Sequence, residues 1–163
     1  GVICPMINTA QDARQFAGAC RYAPQGYRSA GPIRAEQFSP YDYISHANQR
    51  VLALAMIETG QALENLEEIL DTPGLDGVYV GPVDLSISLG LPQRGSVDDP
   101  TMRSHFQLIL DAVHRRGLIA GIPAYRPDKS LEMAALGFDL VTPFKDSSEL
   151  QGRARQIVKE MRQ

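Results

Sequence analysis

The chain has 163 residues, 44% of them hydrophobic and 21% charged, with a formal net charge of −3. That length carries a single domain with a real core, taken as 1–163. The acidic balance gives no footprint for nucleic acid, and no apolar run approaches the ~18 residues a membrane helix needs. The two cysteines, Cys4 and Cys20, form no Cys-x-x-Cys pair and read as free thiols of a reducing, cytoplasmic setting. The first residues, Gly1-Val2-Ile3-Cys4-Pro5, lack the charged region of a secretory signal. They open without an initiator Met inside a strand-like run, as expected of a fragment, a processed chain or a chain with upstream sequence.

Residues 2–5 read as a buried strand. Thr9 is placed to cap a helix whose apolar side is Ala10, Ala13, Phe16, Ala17 and Cys20. Residues 21–32 hold many turn formers and read as a loop. Ser39-Pro40 has the form of a cap followed by proline at the first helical position, starting a helix to about Gln49. A strand at 51–57 follows, then a helix at 61–70 with Ala62, Leu66, Ile69 and Leu70 on one side.

The next strand is 77–80, and residues 85–99 read as a long loop with Gly90, Pro92 and Gly95. Asp99-Pro100 opens a helix to about Arg116, which Gly117 is suited to end. A strand at 118–122, a helix at 127–136 and a strand at 139–142 come next. Ser147 is expected to cap a final helix to about Arg162, with Leu150, Ala154, Ile157, Val158 and Met161 on its apolar side. Five short apolar strands alternating with helices predict a parallel sheet covered by helices. Five units are too few to close an eight-stranded barrel. The pattern fits either an open doubly wound domain or part of a barrel, and no Gly-x-Gly-x-x-Gly follows the first strand to favour a dinucleotide fold.

Two acidic residues stand just past strand ends, Glu58 after 51–57 and Asp84 after 77–80. They lie one βα unit apart, on neighbouring strands at the same end. In parallel barrels such residues converge on the open carboxyl face. Two carboxylates sharing a site repel each other unless a cation lies between them, so a hard divalent ion is the natural expectation. Each could instead simply cap the helix that follows. In Gly81-Pro82-Val83-Asp84, glycine lets the backbone approach a ligand and proline fixes the loop. The amides of Val83 and Asp84 are then placed to hold a substrate carboxylate, though an ordinary βα turn also favours these residues.

The stretches Ile57-Glu58-Thr59 and Leu75-Asp76-Gly77-Val78-Tyr79-Val80-Gly81-Pro82-Val83-Asp84-Leu85-Ser86 resemble the metal-dependent class II pyruvate aldolases of the 4-hydroxy-2-oxoheptanedioate and 2-dehydro-3-deoxyglucarate aldolase family (HpcH type). Ile3-Cys4-Pro5-Met6-Ile7-Asn8-Thr9-Ala10 and Arg21-Tyr22-Ala23-Pro24-Gln25-Gly26-Tyr27-Arg28 look like that family's fourth strand and the region after it. The resemblance implies an α/β fold made of the C-terminal five βα units of a (β/α)8 TIM barrel, with the first three strands absent from the chain. It implies Mg2+, Mn2+ or Co2+ held by Glu58 and Asp84, with Gly81, Pro82, Val83 and Asp84 binding substrate. The implied reaction is reversible cleavage of a 4-hydroxy-2-oxo acid to pyruvate and an aldehyde, through an enolate that the metal stabilises. Family likeness also implies a homo-oligomer, a hexamer, with the last helix packed on a neighbouring subunit.

Met56 departs from the pattern, which often has Gln two residues before the metal-binding Glu. The family's general base and carboxylate-binding Arg lie on its first three strands, upstream of residue 1, so the catalytic residues are unknown here. His46, His105 and His114 do not match that base. Arg21 and Arg28 are candidates for an anion contact or a subunit contact, or are loop arginines in salt bridges. Lys145 sits where barrels host Schiff-base lysines, but Phe144 and Asp146 beside it do not mark it as a nucleophile. The alternatives are a citrate-lyase-β-like lyase acting on a CoA thioester and a truncated, non-catalytic chain.

Overall fold

The computed structural model describes residues 1–39, 42–92, 95 and 97–162. Its strands are β1 (Val2–Cys4), β2 (Ala53–Ile57), β3 (Gly77–Val80), β4 (Ile119–Pro123) and β5 (Leu140–Thr142). Its helices are α1 (Ala10–Cys20), α2 (Ile33–Phe38), α3 (Tyr43–Arg50), α4 (Gly60–Glu64), α5 (Leu66–Leu70), α6 (Pro82–Ser88), α7 (Pro100–His114), α8 (Pro127–Leu136) and α9 (Asp146–Met161).

All strand pairs are parallel, in the order β1-β2-β3-β4-β5. Each strand is laid beside the one before it, so the order never reverses. A doubly wound sheet would reverse at a switch point. The sheet is therefore a run of five units from a TIM barrel, as the family resemblance implied. The central strands carry almost no polar residue because both faces are covered: Ala53, Leu54, Ala55, Ile57, Val78 and Val80 are all buried. One face packs on α1, α5, α7 and α8 through Ala13, Phe16, Leu66, Ile69, Phe106, Ile109 and Met133. On the other face the Tyr79 ring lies where a Cβ on Gly121 would come within 2.6 Å, and its hydroxyl meets Thr142 Oγ1 at 2.7 Å. Glycine at 121 is what gives that ring its room.

Several boundaries differ from the sequence expectation. Residues 33–38 form α2, which the sequence pattern did not indicate. Ser39 is the residue after its last turn, and Pro40 lies outside the described residues; α3 begins at Tyr43. The helix expected at 61–70 is two short ones hinged at Asn65, whose side chain donates to the Asn8 carbonyl at 2.8 Å. The loop expected to start at 85 is helical to Ser88, because Pro82 occupies the first position of a helix rather than a turn. The last helix starts at Asp146 after Lys145, so Ser147 lies inside it and is not its cap.

Candidate functional site

The carboxyl ends of β1, β2 and β3 come together through the loops that follow them. After β1 the chain turns sharply at Met6, whose φ of +57° is in the left-handed region and strained for a residue with a long side chain. The turn aims the Met6 N–H at Glu58 Oε1, 2.7 Å away. Thr9 then caps α1 in a reciprocal box with Asp12: Asp12 N–H donates to Thr9 Oγ1 at 3.1 Å, and Thr9 N–H donates to Asp12 Oδ2 at 2.9 Å. The Thr9 hydroxyl, chiefly, holds the Asp12 carboxyl below its usual range. Thr59 caps α4 by accepting from Ala62 N–H at 3.0 Å, and its own hydroxyl donates to Asn8 Oδ1. The β1 and β2 loops are thus stitched together.

Thr59, not Glu58, performs the capping that either residue could have done. Glu58 is left as a buried carboxylate, 3% exposed, without an ion-pair partner among the described residues. Its Oε2 faces β3: a Cβ on Gly81 would lie 2.5 Å from that oxygen. Gly81 N–H donates to the Ile57 carbonyl at 3.1 Å, which seats the end of β3 directly beside Glu58. Met56, where the family pattern has Gln, lies at the same spot, its Cε 3.1 Å from the same Cβ position.

The helix α6 starts one residue later. Pro82 lacks an N–H, while the amides of Val83 and Asp84 stand in the first turn without helical acceptors. Asp84 is exposed and its carboxylate meets no donor among the described residues, so it does not cap α6. Two serines fix α6 in place. Buried Ser86 donates to the Val83 carbonyl at 2.7 Å and accepts from Gly95 N–H at 2.8 Å; Ser88 accepts from Gly60 N–H at 3.0 Å. Glu58, Gly81, Pro82, Val83 and Asp84 therefore occupy one end of adjacent strands, as their spacing predicted. Burial first, then the negative charge of Asp12 and of Glu58, pushes the Cys4 thiol up.

This surface offers two carboxylates and no larger acidic or His/Cys cluster among the described residues. That donor set suits Mg2+-like ions, which keep several waters and take one or two protein carboxylates plus substrate oxygens.

Other candidates fall elsewhere. Arg21 is buried and structural: its Nη1 donates to Val51 O at 2.7 Å, and its Nη2 to Gly74 O at 2.9 Å and to Asp76 Oδ2 at 2.5 Å. Arg28 stacks on the rings of Tyr22 and Tyr43, 4.7 and 5.6 Å from their centroids. His114 faces Asp139 at 3.2 Å. Asp139 precedes β5, so that pair lies at the opposite, amino-terminal end of the sheet. Lys145 is exposed at the start of α9. Sequence reasoning missed Met6, Asn8 and the two serines. Nothing in a methionine codon forecasts a left-handed turn, whereas Ser86 and Ser88 flanking Ile87 were visible as polar residues in an apolar stretch.

Five parallel βα units with a carboxylate after each of two adjacent strands define a partial TIM barrel whose candidate site is its carboxyl face. Comparison with known proteins agrees. The sequence family described as HpcH/HpaI aldolase/citrate lyase matches residues 1–142. A hydroxypyruvate/pyruvate aldolase of Rhizorhabdus wittichii is 36% identical over 162 residues, 99% of this chain and 64% of that protein. A 2-keto-3-deoxy-L-rhamnonate aldolase of Escherichia coli K12 is 36% identical over 143 residues, 86% of this chain and 53% of that protein. The crystal structure of a family protein from Burkholderia cenocepacia J2315 superposes with a TM-score of 0.80 at 30% identity, over 99% of this chain and 64% of its own. The chain belongs to the HpcH/HpaI aldolase/citrate lyase family, and it spans between about half and two thirds of the length of these relatives. No helix among the described residues is long and apolar enough to cross a membrane.

Proposed function

We propose that this chain carries the metal-binding and carboxylate-binding half of a class II pyruvate aldolase that cleaves 4-hydroxy-2-oxo acids to pyruvate and an aldehyde. The observation that carries this reading is the buried Glu58 carboxylate, lying against Gly81 at the head of the turn that bears the unpaired Asp84. Relatives named as pyruvate and 2-keto-3-deoxy-L-rhamnonate aldolases support the substrate class. Glu58 and Asp84 would hold Mg2+, Mn2+ or Co2+. When bound, the ion would supply Lewis acidity at the keto oxygen of the 2-oxo acid.

The chain's own residues do the positioning. The Met6 N–H fixes one oxygen of Glu58 and leaves the other free to face the site. The first-turn amides of α6 at Val83 and Asp84 would donate to the substrate carboxylate, with Gly81 letting the backbone approach and Pro82 fixing its direction. Met56 puts an apolar thioether beside Gly81 where the family pattern often has the amide of Gln. The carbon–carbon bond broken is that between C3 and C4. Its electrons pass to the 2-oxo group as the enol of pyruvate, and the C4 hydroxyl yields its proton. The group that takes that proton and the Arg that completes carboxylate binding are proposed to lie upstream of residue 1, as the family resemblance implies. The enzyme is proposed to act in the cytoplasm as a homo-oligomer, a hexamer, in which the exposed apolar side of α9 packs on another subunit.

The test is pyruvate release from a panel of 4-hydroxy-2-oxo acids by the full-length expressed protein with Mg2+, Mn2+, Co2+ or EDTA. Metal-dependent release that is lost in both Glu58→Gln and Asp84→Asn supports the reading. Release that persists in EDTA, or in either variant, overturns the assignment of the metal ligands. Absence of release from every substrate overturns the aldolase reading and leaves the citrate-lyase-β-like and non-catalytic alternatives.

A further inference from the structure

The amino-terminal face of the sheet, opposite the candidate aldolase site, holds a cavity of ≈ 560 Å3 lined by Arg14, Arg21, Gln25, Asn48, Gly74 and Asp76, among others. Arg14, Gln25, Pro73 and Gly74 are exposed, and Ala17 and Arg21 beside them are buried. Arg14 and Arg21 are seven residues apart along α1 and its end, so their side chains project on one face roughly 10 Å apart. Buried Ala17 lies between them and keeps the space open, and the Pro73-Gly74 turn closes the floor against it. Asn48 clamps the Tyr22 backbone from both sides, accepting its N–H at 2.7 Å and donating to its carbonyl at 3.0 Å.

The polar groups of this cavity are not all satisfied. Asp76 Oδ2 accepts from Arg21 Nη2 at 2.5 Å and from Ala53 N–H at 2.6 Å, but Oδ1 meets no donor among the described residues. The buried Arg21 spends both Nη groups on Val51, Gly74 and Asp76 and keeps its Nε–H. The guanidinium of Arg14 and the carboxamide of Gln25 have no side-chain partner among the described residues. The cavity thus offers the exposed Arg14 guanidinium and Gln25 carboxamide, together with an Asp76 oxygen that meets no donor among the described residues.

We infer that this cavity is a second binding site, for a small carboxylate that also bears a hydroxyl or amino group, such as a hydroxy acid or an amino acid. The ligand carboxylate would meet Arg14 and Gln25, and its hydroxyl or ammonium would donate to Asp76 Oδ1. The volume lies in the ordinary range for small-ligand sites. A bare polyanion would be repelled by Asp76, and a neutral molecule would leave Arg14 unanswered. The inference is independent of the aldolase reading, because none of these residues stands at the carboxyl face.

The experiment is calorimetric titration of the full-length protein with L-serine, L-malate and glycerate, with succinate and inorganic phosphate as comparators. Saturable binding is expected for the first three. Affinity for succinate and phosphate should be at least about tenfold weaker, because neither presents a donor to Asp76 while carrying a carboxylate. Arg14→Ala should weaken serine binding about tenfold or more without lowering the melting temperature of the unliganded protein, since Arg14 is exposed and its side chain makes no hydrogen bond or ion pair among the described residues. Glu58→Gln should leave this binding unchanged. Equal binding of phosphate and serine, no saturable binding by any of the three, an Arg14→Ala variant that binds as wild type, or loss of binding in Glu58→Gln would each overturn the inference. The last outcome would move the binding to the carboxyl face.

Discussion

At the scale of single residues, the candidate site depends on what is missing at position 81. Gly81 has an ordinary negative φ, so its role is space rather than backbone freedom. A methyl group there meets Glu58 Oε2 at 2.5 Å and Glu58 Cβ at 2.8 Å. Gly81→Ala is therefore expected to displace the Glu58 carboxylate. It should weaken Mn2+ binding and lower kcat/KM at least about tenfold, with an overpacking cost of about 1–3 kcal/mol in urea melts. Unchanged metal affinity would show that Glu58 does not need its present position. Arg21 gives the opposite profile. Arg21→Met leaves Asp76 without its guanidinium partner near the starts of β2 and β3, and should cost about 3 kcal/mol of stability. Metal affinity should remain intact in the folded protein, because this ion pair lies at the far end of the sheet. The two carboxylates were legible in the sequence because period and spacing place them without any knowledge of packing. The Met6 turn was not, since its N–H is held by Glu58, 52 residues away.

At the scale of elements, the sequence signals that worked are those confined to one element. Thr9, and Asp99 before Pro100, mark helix starts that the structure keeps. The signals that failed depend on distant partners. Asn65 breaks a helix by reaching Asn8, 57 residues away, and α6 is held by contacts to Gly60 and Gly95. Charge acts similarly between α7 and α8. Lys129 bridges Asp98 and Glu132, and Arg103 also pairs with Glu132. These partners hold the Asp98 and Glu132 carboxyls below their usual range, the hydrogen bond from Lys129 being the largest cause for each. A carboxyl whose folded pKa is depressed adds stability above its unfolded pKa and loses it as pH falls through the folded value. Stability should therefore be level from pH 7 down to about 5 and decline below about 4. Lys129→Met should flatten that decline, as read from urea midpoints at stepped pH. An equally steep decline in the variant would assign acid sensitivity to other groups.

At the scale of the whole molecule, apolar surface is left where the described chain has nothing to cover it. The edge strands β1 and β5 expose Val2, Ile3 and Leu140, and each pairs on one side only among the described residues. The helix α9 buries no residue at all, yet Leu150, Ala154, Ile157, Val158 and Met161 recur along one side of it at helical spacing. Leu150 is 75% and Met161 81% exposed. An amphipathic helix of 16 residues is marginal in water without a packed face. Its apolar side thus has a reason to seek a partner surface, in agreement with the proposed oligomer. Leu150→Lys combined with Met161→Lys leaves the helical pattern and the candidate site untouched and places two charges in that contact. The expected outcome is a lower sedimentation coefficient, set by smaller assemblies, with the near-ultraviolet circular dichroism of the core retained. If the double variant instead sediments as the wild type does, α9 takes no part in assembly. If it loses its folded signal, the apolar face is packed within its own barrel, and the oligomer must be built from other surfaces.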